Sequence, residues 1–416
     1  MSTTNERERG VVPADDIDDA VLEGLRGFVK AEVVPRQQAL SSTGRHRRYE
    51  ESGLLRPVVL DAMREVRQAS SRAGYYTMLA PKSVGGSGLG FSALFRIWEF
   101  IFKECGADLW LGYESIGHWI KGPSHLLAGA SEVVRQEALP SLLDGSKTLC
   151  FAMSEPDAGS DVWRMRTRAR QVDGGWRISG TKQWISNGPY AEWAFVFAVT
   201  DADALTQRRG GISAFFVPTA AMGFNVDSII ELFGHPGGDE AIISLNDVFV
   251  PDSHVLGEIG SGLGLAMSGV SSGRLYNSGR SVGLAQWALD KTIAYAEERE
   301  TFGKPIIENQ AISFPLADAA MEIHAARLIG LDCARLLDSG HDARYEVSMA
   351  KTYATEMAVR VIDRAMQVHG GMGFTNEVAL AEAWQQVRRI CVADGSSEIL
   401  RRQMVKELRH RGRSGG

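Results

Sequence analysis

Apolar residues recur at helical spacing in the first third of the chain. Ile17, Val21, Leu22, Leu25, Phe28 and Val29 form one stripe, with Asp15 and Asp16 at its positive end. Similar patterns run over 54–66, 91–102 and 133–143, interrupted by PKSVGGSGLG at 81–90. The period shortens after Cys150. RARQV, GWRISGTKQWIS, AFVFAV and ISAFFV are short, rich in β-branched and aromatic residues, and separated by turns such as Asp173-Gly174-Gly175, which predicts antiparallel strands ending near Pro251. Beyond Gly264 long helical patterns return over 284–299, 312–337, 345–369, 379–390 and 397–408, and the short loops between them predict a bundle. The expected organisation is a disordered tail (1–14), an N-terminal α-helical domain (15–148), a central antiparallel β domain (149–255) and a C-terminal four-helix bundle (256–416). This is an α+β fold. Strands do not alternate with helices, which argues against a doubly wound parallel sheet.

Composition narrows the function classes. A formal net charge of -6 over 416 residues argues against binding nucleic acid through bulk charge. The four cysteines, Cys105, Cys150, Cys333 and Cys391, are far apart in apolar runs, so they read as reduced core residues and suggest no metal site. MSTTNERERG at the start has no apolar segment, and no later run approaches the roughly 18 apolar residues of a membrane helix. A cytoplasmic protein is expected.

The glycines offer no dinucleotide fingerprint. GSGLG at 260–264 and GGMG at 370–373 lack the full G-x-G-x-x-G and follow no strand, and the cluster at 85–90 lacks the G-K-[ST] ending of a P-loop. Five other segments carry more chemistry. FAMSEPDAGSDV at 151–162 joins hydroxyls, acids and a glycine turn, and WISNG follows at 184–188. RETFGKPI at 299–306 is followed by Asn309-Gln310, and QVHGGMGF spans 367–374. Near the C-terminus, VADGSSEILRR at 392–402 places a lone acid, Asp394, before a helix start.

In this order the motifs resemble the acyl-CoA dehydrogenase family, FAD-dependent enzymes that form a double bond α,β to a thioester, and the resemblance runs over nearly the whole chain. It implies that Phe151, Met153 and Ser154 hydrogen-bond the flavin ring, with Trp184 and Ser186 on its other side. Ser160 is implied near the phosphopantetheine arm, between cofactor and substrate. Arg299, Thr301, Phe302 and Gln310 match the segment that reaches the FAD of a neighbouring subunit. Gln367, Gly370 and Gly371 match the turn that meets the adenosine diphosphate part, and Ser396 is a further cofactor contact. The chemistry is consistent: glycines let backbone N–H groups approach phosphate, and an arginine adds charge-assisted bonds. Arg274 and Gly395 are implied at the thioester end of the substrate. The resemblance also implies a homodimer or homotetramer, and an electron-transfer flavoprotein as electron acceptor.

The family's base is usually a glutamate in a Glu-Gly-[Thr/Ser] step; here the step is Asp394-Gly395-Ser396. Some members place the glutamate one residue before the arginine, which here is Gly273. In a first reading Asp394 takes the pro-R α-proton while hydride leaves Cβ for flavin N5, and its backbone N–H with a ribityl hydroxyl holds the carbonyl charge. Aspartate is one methylene short, and a misplacement of about 1 Å can cost about 100-fold in rate, so the substrate or loop must sit differently, which favours an altered acyl group such as a cyclic or branched one. Burial should raise the Asp394 pKa, opposed by the following helix N-terminus. A second reading resembles the nitroalkane oxidases, where an aspartate is the base, oxygen the acceptor, and Arg401 would pair with Asp394, although the dehydrogenases have an arginine at this offset too. In the third, Asp394 is only a helix cap on a non-catalytic flavin scaffold. Glu398, one turn beyond, is a substitute base by sequence proximity alone. Leu109, Trp110, Tyr113 and Tyr276 are candidates for the acyl pocket.

Overall fold

The computed structural model describes residues 19–41, 48–233 and 237–411. The tail expected over 1–14 and the positions of Asp15, Asp16 and Ile17 lie outside them. Helices α1 (Asp19–Phe28) and α2 (Val34–Ser41) are linked by a π turn over Val29–Val33. Pro35, the second residue of α2, has no N–H to give to a regular ladder. Helix α3 (Pro57–Arg72) begins at a proline rather than at 54, because a proline is tolerated where the N–H is unpaired anyway. Helices α4 (Phe91–Cys105) and α5 (Glu132–Leu143) complete this part, the latter capped by the Ser131 side chain.

The sheet follows: β1 (Leu149–Ala152), β2 (Arg168–Val172), β3 (Gly175–Ser186), β4 (Trp193–Val199), a short helix α6 (Ala202–Thr206), β5 (Ile212–Pro218), β6 (Phe224–Ile229), β7 (Glu240–Pro251) and β8 (Val255–Leu256). Its order is β6-β7-β3-β2-β4-β5-β8, with β1 also on β4. The sheet is mixed, which corrects the wholly antiparallel expectation. β1 runs parallel to β4 from Leu149 opposite Trp193 to Ala152 opposite Val196, and β2 touches β4 in parallel at Arg168 and Val199. Tight turns force antiparallel pairing only on strands they join; β1 reaches β4 across the intervening β2–β3 hairpin, a connection long enough for parallel pairing. Every residue of β4 is buried. Its Phe195 and Phe197 pack with Leu139 and Leu142 of α5, while Ala194 and Val196 on the opposite face pack with Ile243 and Phe215.

Helix α7 (Gly262–Glu298) starts well before the 284 that the apolar pattern suggested. The glycines that broke the pattern mark where another helix comes close. A Cβ on Gly283 would lie 2.3 Å from the Glu99 carbonyl oxygen of α4, and one on Gly279 would lie 2.7 Å from that of Phe95. After the two-strand hairpin β9 (Glu300–Thr301) and β10 (Lys304–Pro305) come α8 (Gln310–Asp338), α9 (Arg344–His369), α10 (Leu380–Ile390) and α11 (Ser397–Arg411). One core joins Phe95, Ile97 and Ile101 of α4 to Leu275 and Val282 of α7, Ile323 of α8, and Met357 and Ile362 of α9.

Candidate active site

Asp394 sits in the turn between α10 and α11, half-buried. It has φ +54° and Gly395 φ +96°, two left-handed residues in succession, a conformation that aspartate and glycine tolerate better than bulkier residues. Ser396, not Asp394, caps α11: Ile399 N–H donates to Ser396 Oγ over 3.4 Å and Leu400 N–H to the Ser396 carbonyl over 3.0 Å. The capping role proposed for Asp394 is therefore already filled by the serine, and the carboxylate is free to face the cleft.

Three side chains hold the turn. Asn277 Nδ2 donates to Asp394 Oδ2 over 2.7 Å, Arg274 Nε donates to the Asp394 carbonyl over 2.9 Å, and Lys351 Nζ donates to the Gly395 carbonyl over 2.9 Å. Arg274 lies within α7, away from either end of that helix. Burial raises the Asp394 pKa above its ordinary value, against the opposing pull of Lys351, Arg274 and the Asn277 amide. Burial also draws Lys351 down to about 8. Sequence reasoning missed Asn277 and Lys351. Asn277 follows Arg274 by three residues on α7, a usable signal, whereas a lysine within a helical pattern normally reads as a solvated position.

The two positions considered for a base converge. A Cβ added at Gly273 would stand 3.0 Å from Asp394 Oδ2 and 3.2 Å from Trp119 Nε1. Trp119 forms the opposite wall, with its Nε1 buried and without a partner among the described residues. Its ring meets Phe151 edge-on at 5.2 Å, which brings the 151–160 loop to the same cleft. Beside it, the His118 ring lies 4.3 Å from that of Tyr276, and burial pushes this histidine down to about 3, so the imidazole is neutral. Trp110 and Tyr113 line a cavity farther along, and Leu109 packs against the main core.

The loop after β1 is fixed by Lys182, which is 0 % exposed. Its Nζ donates to the Met153 carbonyl over 3.1 Å and to Glu155 Oε1 over 2.7 Å; Glu155 also accepts from the N–H groups of Arg166 and Thr167. Gln183 N–H donates to the Ser154 carbonyl over 2.9 Å, placing Trp184 next to that loop. Trp184 has φ +64°, at an irregularity of β3 between Lys182 and Ile185, and its residue is 53 % exposed. A bulky residue held at positive φ with about half of its surface uncovered is a strained position, of the kind that clusters at ligand sites. Ser186 is half-buried at the strand end and Ser160 is exposed.

The remaining sequence candidates do not join Asp394 within one chain. Phe302, at the turn of the β9–β10 hairpin with φ +52°, is 103 % exposed; Arg299 and Gln310 are exposed beside it and Thr301 is half-buried. Gln367, Gly370 and Gly371 lie exposed at the far end of α9, whose His369 stacks on Tyr295 at 4.2 Å. That end is about 27 Å along the helix from Lys351 at a rise of about 1.5 Å per residue. A Cβ at Gly370 or Gly371 would meet nothing within 4 Å, so their backbone is open to a phosphate. An uncovered indole beside a hydroxyl-bearing loop, and an open glycine turn, suit a flavin dinucleotide. Arg401 does not pair with Asp394: both its terminal nitrogens bind Glu356, at 2.6 and 2.7 Å. Its place on α11 faces α9 instead. Glu398 is exposed.

Comparison with known proteins identifies the family. Residues 150–248 match the family model "Acyl-CoA dehydrogenase, middle domain" and 260–409 match "Acyl-CoA dehydrogenase, C-terminal domain". The chain is 34 % identical over 357 residues to the caffeyl-CoA reductase-Etf complex subunit CarC of Acetobacterium woodii, covering 86 % of this chain and 90 % of that protein. It is 35 % identical over 328 residues to the human mitochondrial short-chain specific acyl-CoA dehydrogenase, covering 79 % and 78 %. The crystal structure of an acyl-CoA dehydrogenase from Geobacillus kaustophilus superposes with a TM-score of 0.81 at 26 % identity, over 94 % of this chain and 97 % of that one. With helices, mixed sheet and bundle in the same order, and a half-buried acid in the cleft where they meet, this chain belongs to the acyl-CoA dehydrogenase family, FAD-dependent oxidoreductases acting on acyl-CoA.

Proposed function

We propose that this chain dehydrogenates an acyl-CoA between its α and β carbons with Asp394 as the base. The observation that carries this is the Asp394 carboxylate, half-buried in the cleft, raised in pKa by burial and oriented by Asn277 over 2.7 Å. Asn277 occupies Oδ2, which leaves Oδ1 to take the α-proton. Arg274 and Lys351 grip the two carbonyls of the Asp394-Gly395 step, so the shorter side chain works from a turn that cannot drift. Bound FAD supplies a two-electron acceptor for the hydride that leaves Cβ. Phe151, Met153, Ser154, Trp184 and Ser186 hold the flavin ring in this reading, with Ser160 at the phosphopantetheine arm and Ser396 and Gly395 near the reacting end. Since aspartate reaches one methylene less than glutamate, the acyl group sits closer to the turn.

We further propose that Arg299, Thr301, Phe302 and Gln310, with Gln367, Gly370 and Gly371, serve the FAD site of a second subunit in a homodimer or homotetramer. The fully exposed Phe302 supports this, because such a ring gains by being covered. Electrons leave through an electron-transfer flavoprotein in this scheme, supported by a relative that is itself named as part of an Etf complex. The unpaired cysteines suit the cytoplasm.

The test is anaerobic mixing of the yellow protein with a panel of acyl-CoAs and nitroalkanes, followed by flavin bleaching, with Asp394→Ala alongside. Bleaching by a thioester that disappears in the variant supports the reading. Bleaching by nitroalkanes alone moves the chain to oxidase chemistry, and bleaching by neither overturns catalysis of both kinds.

A further inference from the structure

A cavity of about 160 Å³ lies between the N-terminal helices, the sheet and the C-terminal helices, lined in part by Trp110, Tyr113 and Arg280. A volume of this size holds a group about as large as benzene. The cavity wall carries four acids, and each is committed to a cation other than Arg280. Glu382 pairs with Arg48 at 2.9 Å, Asp239 with Lys121 at 2.8 Å, Glu240 with Arg389 at 3.1 Å and Glu114 with Arg67 at 2.7 Å.

Arg280 stands apart. It is only 9 % exposed, Nη2 donates to the neutral Gln386 Oε1 over 3.1 Å, and the guanidinium lies 5.0 Å above the Phe102 ring. Its Nε is buried without a partner among the described residues. A buried guanidinium that meets no anion among the described residues is costly, and such a group in a folded protein calls for an explanation. Arg280 lies three residues beyond Asn277 on α7, hence on the same face and about 4.5 Å farther along the axis. The residue that orients the base and this cation therefore share one face of α7, and Trp110 and Tyr113 line the cavity at the Arg280 end.

We propose that Arg280 anchors an anionic group at the far end of the acyl substituent, so that the preferred substrates are ω-carboxyacyl-CoA thioesters. This rests on the reading of Asp394 as base. The chain between thioester and carboxylate runs along α7 past Asn277, the methylenes lie against the aromatic wall, and the carboxylate takes the open Nε–H and a terminal N–H of Arg280. Gln386 then acts as a neutral orienting partner that leaves the positive charge available.

The test compares adipyl-CoA with hexanoyl-CoA, equal in carbon count, in anaerobic flavin reduction and in steady-state kcat/KM. Wild type should favour adipyl-CoA by tenfold or more, the scale of a charge-assisted hydrogen bond, and Arg280→Gln should bring the ratio to one or below. Arg280→Lys keeps the charge and should retain the direction of the preference, which separates recognition from a folding defect. FAD content and circular dichroism confirm that each variant folds. Reduction by both thioesters with no preference in wild type overturns the anchor and leaves the base assignment standing. Absence of reduction by these two and by every other acyl-CoA tried overturns both. If free adipate binds without slowing hexanoyl-CoA turnover, the anion site is separate from the acyl track and the proposal falls.

Discussion

Asn277 Nδ2 donates to Asp394 Oδ2 across 2.7 Å, although 117 residues separate them in the chain. The amide stabilises the charged form of a carboxyl that burial would otherwise hold in its neutral form. Because the base must be ionised to accept a proton, flavin reduction should rise with pH through the Asp394 pKa. Asn277→Leu removes the donor and should move that limb upward by about one pH unit, the scale of a hydrogen bond to a charged group. Stopped-flow reduction across pH measures it; an unmoved limb would show that the amide does not tune the base.

Asp394 itself should trade stability for chemistry. Its folded pKa lies above the unfolded 3.8, so the folded state holds the proton more tightly. The stability this contributes is present below the unfolded pKa and is lost as pH rises through the folded value. Asp394→Asn keeps shape and removes the charge. It should abolish flavin bleaching by thioesters while raising Tm at neutral pH, and a lower Tm there would contradict the argument.

Lys182 and Glu155 form a buried pair beneath the Met153-Ser154 loop, at 2.7 Å. Lys182→Met leaves a carboxylate with 5 % exposure facing no cation, which should cost about 3–5 kcal/mol and lower FAD retention. Adding Glu155→Gln should recover part of the loss. Thermal unfolding with and without added FAD distinguishes the single variant from the double.

Lys351 is fully buried under the Gly395 carbonyl, and its pKa falls from 10.5 to about 8. Between those values the unfolded chain holds the proton that the folded one has lost, so stability should rise with pH over that window. Lys351→Met should flatten the rise without removing it, because Lys182 is likewise drawn down to about 8. Urea midpoints across the window give the slope, and an unchanged slope would rule out a titrating Lys351.

Much of this protein is written locally in its sequence. Apolar periodicity marks the helices before residue 149 and after 310, β-branched alternation marks the strands, and a lone acid ahead of Gly-Ser-Ser marks the last helix start and the base candidate. These signals survive because each depends on neighbours within a turn or a pleat. Tertiary structure decided the rest. The early turns of α7 are hidden in sequence because Gly279 and Gly283 serve the approach of α4, a contact with no local trace. Strand β1 pairs in parallel because of where the chain returns, not because of its own residues. Lys182, Lys351 and Arg280 read as solvated charges until packing buries them, and Asn277 gains its meaning only when a turn far along the chain is folded against α7. Periodicity reports which face of an element is apolar; which charge ends up facing which carboxylate is fixed by the packing of elements distant in sequence.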